Sequence, residues 1–202
     1  REWRANVTQI RNAQGTAMDA TDARQLSAGE LEGRQQIADF FEFLKNEIPG
    51  FARAHIVEIA PQVGIRESRR IRGHYQLNKQ DILDSVVFED SIGLNAWPME
   101  IHAEGRIEWG FPHNTEHGVG RVYNDLPWRM LVPLGVDNLL VAGRCASMTH
   151  EGQSAARVSG ACFVMGQAAG TAAAMALEGQ AFEQISVPQL QARLIRDGAV
   201  LA

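Results

Sequence analysis

The stretch Leu139 to Gly170, LLVAGRCASMTHEGQSAARVSGACFVMGQAAG, constrains the fold more than any other part of the chain. An apolar run, Leu139 to Ala142, ends at Gly143-Arg144 and reads as a short buried strand. From Val158 to Leu177 the residues are rich in Gly and Ala, which reads as a helix packed closely against other backbone. Polar residues lie between the two runs: Ser147, Thr149, His150, Glu151, Gln153, Ser154 and Arg157. A glycine at a strand end lets backbone approach a ligand closely. A helix opening near Val158 and Ser159 offers free N–H groups and the positive end of its dipole. Such an end suits a phosphate or another electron-rich group. The same pattern also serves as a plain strand–loop–helix connection with no ligand.

Length and composition narrow the alternatives. A chain of 202 residues with 45% hydrophobic content holds one domain or slightly more, with enough apolar material for a sizeable core. The net charge of −5 argues against a general nucleic-acid binder. The small-residue run is not the large apolar stretch of a spanning helix, so no membrane span is expected. Two cysteines, Cys145 and Cys162, form no disulfide framework or metal knuckle and suit a reducing, cytoplasmic setting. The amino terminus, REWRANVTQI, lacks the pattern of a signal peptide. A start at Arg rather than Met is expected of a processed chain or of the later part of a longer polypeptide.

Along the chain, Ser27–Glu30 reads as a capping box. Leu31, Ile37, Phe40, Phe41, Leu44 and Ile48 follow at helical spacing until Pro49-Gly50. His55 to Ala60 alternates imperfectly and predicts a half-buried strand. A short helix is expected at Asp81 to Leu83 after Asn78. Trp97 to Ala103 and Arg106 to Phe111 predict a hairpin around Glu104-Gly105. Pro112 to Gly120 reads as loop. Ser186 is expected to cap a last helix, with Pro188 in its first turn and Gly198 near its end. Strands and helices are mixed without a regular βαβ series, so the fold class is α/β in the mixed α+β sense.

Several ordered motifs resemble one family. The Leu139–Gly170 stretch looks like the final flavin-binding segment of FAD-dependent oxidoreductases, relatives of the fumarate reductase and glutathione reductase type flavoproteins. GIRESRRIRGHYQL with Asp81, WPMEIH, LPWRMLVP and the helix beginning SAGELEG resemble further patterns of that family, so the likeness runs over most of the chain from about Asn6. It implies FAD as cofactor and hydride transfer between a small organic substrate and flavin N5. It places Gly143 and Arg144 beside the ribityl and pyrophosphate, and Ser154, Arg157, Val158 and Ser159 near the isoalloxazine. It implies a substrate-side region over residues 1–130, a return to the FAD domain over 131–179, and a terminal helix over 180–202.

One part of the family pattern is missing. No G-x-G-x-x-G occurs, and Gly118-Val119-Gly120 lacks the third glycine and reads as an ordinary turn. The chain therefore resembles the carboxyl-terminal portion of the family, and a partner chain or segment carrying the Gly-rich dinucleotide-binding half is implied. The rival from another class is a non-catalytic flavoprotein-like subunit that binds a partner without turnover.

Candidate chemistry falls on few residues. His102, at a strand end, is the acid or base candidate. Arg69, within the cluster Arg66, Arg69, Arg70 and Arg72, suits forked recognition of carboxylate or phosphate. Internal ion pairs with Glu67 and Asp81 explain the cluster equally well. Arg129 is a second substrate anchor, or else the partner of Asp125. His113 and His117 flank Glu116 but lie in a loop without a third ligand, so no metal is expected. Trp97, Trp109 and Trp128 read as buried packing, with a pocket lining as the alternative.

Overall fold

The computed structural model describes residues 2–12, 14–103, 106–113, 121–177 and 181–201. Mixed helix and strand run through it, as the α/β reading expects. Two compact units divide at the arginine cluster, Arg1–Ser68 and Arg69–Ala202.

The first unit is built on one long helix, α1, Ala23–Glu47. It starts four residues before the expected capping box. Asp22 is the cap, and its carboxylate accepts from the amides of Arg24 and Gln25. Ser27 is already helical and turns its hydroxyl back onto the Ala23 carbonyl at 2.8 Å. Glu30 accepts instead from the Val63 amide and pairs with Arg34 at 2.8 Å. The helix ends at Ile48, before Pro49-Gly50. Its buried residues are Gly29 and Gly33, lying under Met18 and Ile10. The expected strand at residues 55–60 is not formed, because no ladder partner pairs with it among the described residues.

The second unit holds the hydrophobic core. Residues 71–77 thread between two other segments. The amides of His74 and Tyr75 donate to the carbonyls of Val132 and Arg129, while Ile71 and Leu77 donate to Cys145 and Ser147. Helix α2, Lys79–Leu83, follows with Asn78 and Asp81 forming its capping box. Strands β1, Ser91–Asn95, and β4, Asn124–Pro127, pair antiparallel. Strands β2, Met99–Ala103, and β3, Arg106–Gly110, form the expected hairpin, Glu100 opposite Trp109 and His102 opposite Ile107.

The stretch from Leu139 differs from expectation. Residues 139–142 are not a strand. Only the Val141 amide reaches back to the Leu131 carbonyl at 2.9 Å, and Leu139 is 44% exposed. A 3-10 turn, Gly143–Cys145, comes next. The polar run then forms a helix of its own, α3, His150–Ala156, capped by Thr149. Gly152 lets α3 press onto the Leu77 carbonyl, which a Cβ at that position would strike. Helix α4, Ser159–Ala176, opens where expected and bends 93° from α3. It turns Ala161, Met165, Ala168, Ala172 and Met175 into the core at alternating spacings of four and three. Helix α5, Val187–Arg196, packs Leu190 and Leu194 there too, with Pro188 in its first turn and Gly198 left-handed just beyond.

No single helix among the described residues is long and apolar enough to cross a membrane. The α3–α4 pair reaches that length only as a sharply bent unit.

Candidate active site

Three separated parts of the sequence meet around the start of α4. Gly143 takes a left-handed backbone, φ +80°, at the head of its 3-10 turn. A Cβ there would sit 3.8 Å from the Cys162 sulfur, so the turn lies against the first turn of α4. Arg144 acts electrostatically on the same thiol. Burial pushes the Cys162 thiol up, and the Arg144 cation opposes that rise. Cys162 also donates to the Arg157 carbonyl at 3.4 Å.

Arg157 closes α3 and extends to strand β2. Its Nη2 donates to the Glu100 carbonyl at 3.3 Å and to Glu100 Oε2 at 3.4 Å. The other carboxylate oxygen, Oε1, lies 3.1 Å from His102 Nε2. Both partners of this Arg157–Glu100 pair are largely buried. Two residues singled out by sequence, His102 and Arg157, are thus joined by Glu100, which sequence reasoning passed over. Strand alternation was the available signal, since Glu100 and His102 share a face at i and i+2.

The starts of α4 and α5 carry no side-chain cap, unlike those of α1, α2 and α3, and Ser186, expected to cap α5, makes no such bond. Asp22, Asn78 and Thr149 each cap their helices with a side-chain oxygen. Val158 gives α4 no such cap, and its first turn contains no acidic residue. The first-turn amides and the positive end of an 18-residue helix are left for another acceptor. Ser159 and Gly160 are exposed, and the space beside Gly160 is open.

Other candidates sit apart from this meeting point. Ser154 is buried and donates its hydroxyl to the Glu151 carbonyl at 2.7 Å. Arg69 is exposed and makes no side-chain bond among the described residues. Arg129 does not pair with Asp125. Asp90 takes its Nε at 2.9 Å, its Nη2 at 3.2 Å and its backbone amide at 3.1 Å, while Arg121 pairs with Asp125. The Arg129 guanidinium also lies 5.1 Å from the Tyr75 ring centre. Asp81 likewise pairs with no arginine of the cluster. It accepts from the Tyr75 hydroxyl at 2.8 Å and from the Asn78 amide at 2.9 Å. His117 and Glu116 lie outside the described residues. Among the described residues no group of three His, Cys, Asp or Glu side chains is placed to hold a metal.

Trp128 is buried, as expected. Trp97 and Trp109 are not: they are 42% and 47% exposed.

Comparison with known proteins gives one result. No curated protein and no solved structure matches the chain. A family model described as FAD dependent oxidoreductase matches residues 1–194. That match covers nearly the whole chain and agrees with the family resemblance of its motifs. The protein belongs to the FAD-dependent oxidoreductase family, whose cofactor is FAD.

Proposed function

We propose that this chain supplies the substrate side and the carboxyl-terminal flavin contacts of an oxidoreductase that moves hydride between a small organic substrate and flavin N5. The observation that carries the reading is the convergence of Gly143-Arg144, the uncapped start of α4 and β2 through Cys162, Arg157 and Glu100. These residues fit a flavin. An uncapped dipole end, open space beside Gly160 and two arginines suit the electron-rich edge of an anionic ring system. When bound, FAD supplies the hydride chemistry, and the protein supplies orientation and charge.

Each residue then has a task. Arg144 and the amides following Val158 and Ser159 hold the electron-rich edge. Arg157, anchored on Glu100, adds positive charge that favours the reduced, anionic cofactor. Gly143 admits the cofactor's backbone-facing side. Ser154 shapes the wall through its bond to Glu151 rather than by donating outward.

His102 is the acid or base. An ionised Glu100 can only accept, so it holds the imidazole with a proton on Nε2 and orients the ring. Arg129, half exposed while gripped by Asp90, and the exposed Arg69 are the anchors for an anionic substrate group. In functional terms, residues to about 130 form the substrate side and 131–179 the flavin side, with α5 as the terminal helix.

The outer face of α4 supports a partner chain or segment carrying the Gly-rich half. Gly160, Gly166, Gly170 and Ala173 are exposed there, with Phe163 76% and Leu177 89% exposed. Two free cysteines fit a cytoplasmic setting.

Visible absorbance of the purified protein, alone and assembled with its natural partner, tests the reading. Flavin bands that survive desalting are expected. No flavin in either form would sink the enzyme reading and leave the non-catalytic subunit in its place.

A further inference from the structure

We propose that the exposed aromatic rings of the β2–β3 hairpin form the substrate platform of this site, and that the substrate is a sugar ring. The proposal rests on the reading of His102 and Glu100 given above.

Register carries the argument. Directly opposed residues of an antiparallel pair share a face. Trp109 stands opposite Glu100, and Ile107 opposite His102. The aromatic and the acid–base groups therefore lie on the same side of one hairpin. Trp97 lies 6.3 Å from Trp109, at an interplanar angle of 57°. Phe111 lies 6.3 Å from Trp109, stacked at 23°. Trp109 thus has an aromatic neighbour in each of Trp97 and Phe111.

Large aromatic rings ordinarily bury most of their surface, and a row of half-bare ones marks a contact surface. Phe111, at 58% exposed, is the barest of the three. Trp97 and Phe111 also wall a cleft of about 250 Å³, with Val122, Tyr123 and the buried amides of Asn95 and Asn124.

The openness of this surface selects the ligand class. A wholly apolar ligand is best held in an enclosed cavity that covers most of its area. Half-wet rings suit an amphipathic ring, whose apolar C–H face lies on the aromatic surface while its hydroxyl edge stays hydrated. A pyranose has that shape. Its hydroxyls are also the partners that Glu100 and His102 can bond, and a ring carbinol offers the proton His102 is placed to take.

Isothermal titration calorimetry on the full chain tests this with cellotetraose, xylotetraose and mannotetraose, and with p-cresol as the aromatic probe. Saturable binding of at least one sugar is expected. Trp109→Ala should raise its Kd about tenfold, whereas Trp109→Phe, which keeps a ring, should change it by about threefold at most. Far-ultraviolet circular dichroism checks that both variants fold. No saturable heat from any of the sugars, p-cresol binding in their place, or a Trp109→Ala variant that binds as before would each overturn the platform. Flavin reduction by the bound sugar separates this proposal from the reading beneath it. A His102→Gln variant that binds sugar and reduces flavin at the original rate would defeat the acid–base role and leave the platform standing.

Discussion

Two carboxylate networks in the second unit use the same chemistry to different ends. In one, Asp90 grips Arg129 through three nitrogens, and Asp81 takes the Tyr75 hydroxyl and the Asn78 amide. Most of these bonds are 2.8 to 3.1 Å, and the Tyr75 ring is flanked by Phe88 at 5.0 Å and Arg129 at 5.1 Å. In the other, Glu100 holds His102 at 3.1 Å and Arg157 at 3.4 Å. The first ties residues 71–77 to the turn at Trp128–Met130 through mostly shorter bonds and builds the fold, while the half-exposed Arg129 keeps part of its fork toward solvent. The second joins a strand to a helix end through longer bonds. Its two partners are groups whose proton or charge a reaction can use. Spacing in sequence distinguishes neither, whereas bond length does.

Breaking the second network should cost activity and breaking the first should cost stability. The largest effect is expected from His102→Gln, which removes the acid–base group. Flavin reduction by substrate should slow about 10²- to 10⁴-fold, with little change in the melting temperature. An equal loss of both would merge the two networks into one structural role. Next in size is Asp90→Ala, which strips three bonds from Arg129. Denaturant unfolding should show a loss of about 2 kcal/mol, with flavin content retained at low temperature. Stability unchanged within error would mean that the partly exposed pair is too well solvated to matter.

The smallest effect concerns pH. Burial first, and then the hydrogen bond to the Asp81 carboxylate, push the Tyr75 hydroxyl from its ordinary 10.0 up to about 12. Above pH 10 the unfolded chain releases this proton while the folded chain keeps it. Stability from Tyr75 is therefore complete below 10 and falls as pH rises toward 12. Melting temperatures of the protein and of Tyr75→Phe should differ in slope over that window and run parallel below it. Parallel slopes throughout would remove Tyr75 from the first network.

Local signals explain how much of this was legible. The hairpin, the short helix after Asn78, the α4 start and the Pro188 turn each rest on residues close in sequence, and each forms, the short helix two residues earlier than expected. The misses need distant partners. Asp90, 39 residues from Arg129, displaced the nearer Asp125, which Arg121 had taken. Residues 139–142 looked like a strand from their apolar side chains but have no ladder beside them. The start of α1 was misread because Asp22 and Ser27 are both competent caps, and the earlier one prevails when the intervening residues favour helix. At the site, the sequence singled out His102, Arg157 and Gly143-Arg144 separately. Their meeting depends on the bend between α3 and α4 and on Glu100, which only the folded chain brings together.

The central claim is that Arg157, held by Glu100 at the uncapped start of α4, tunes the flavin. The most direct test is the two-electron midpoint potential of the assembled flavoprotein with Arg157 intact and with Arg157→Ala. Removing the cation should lower the potential by about 30 mV, equivalent to a tenfold weaker hold on the reduced form, or release the flavin. An unchanged potential at full flavin content would contradict the account.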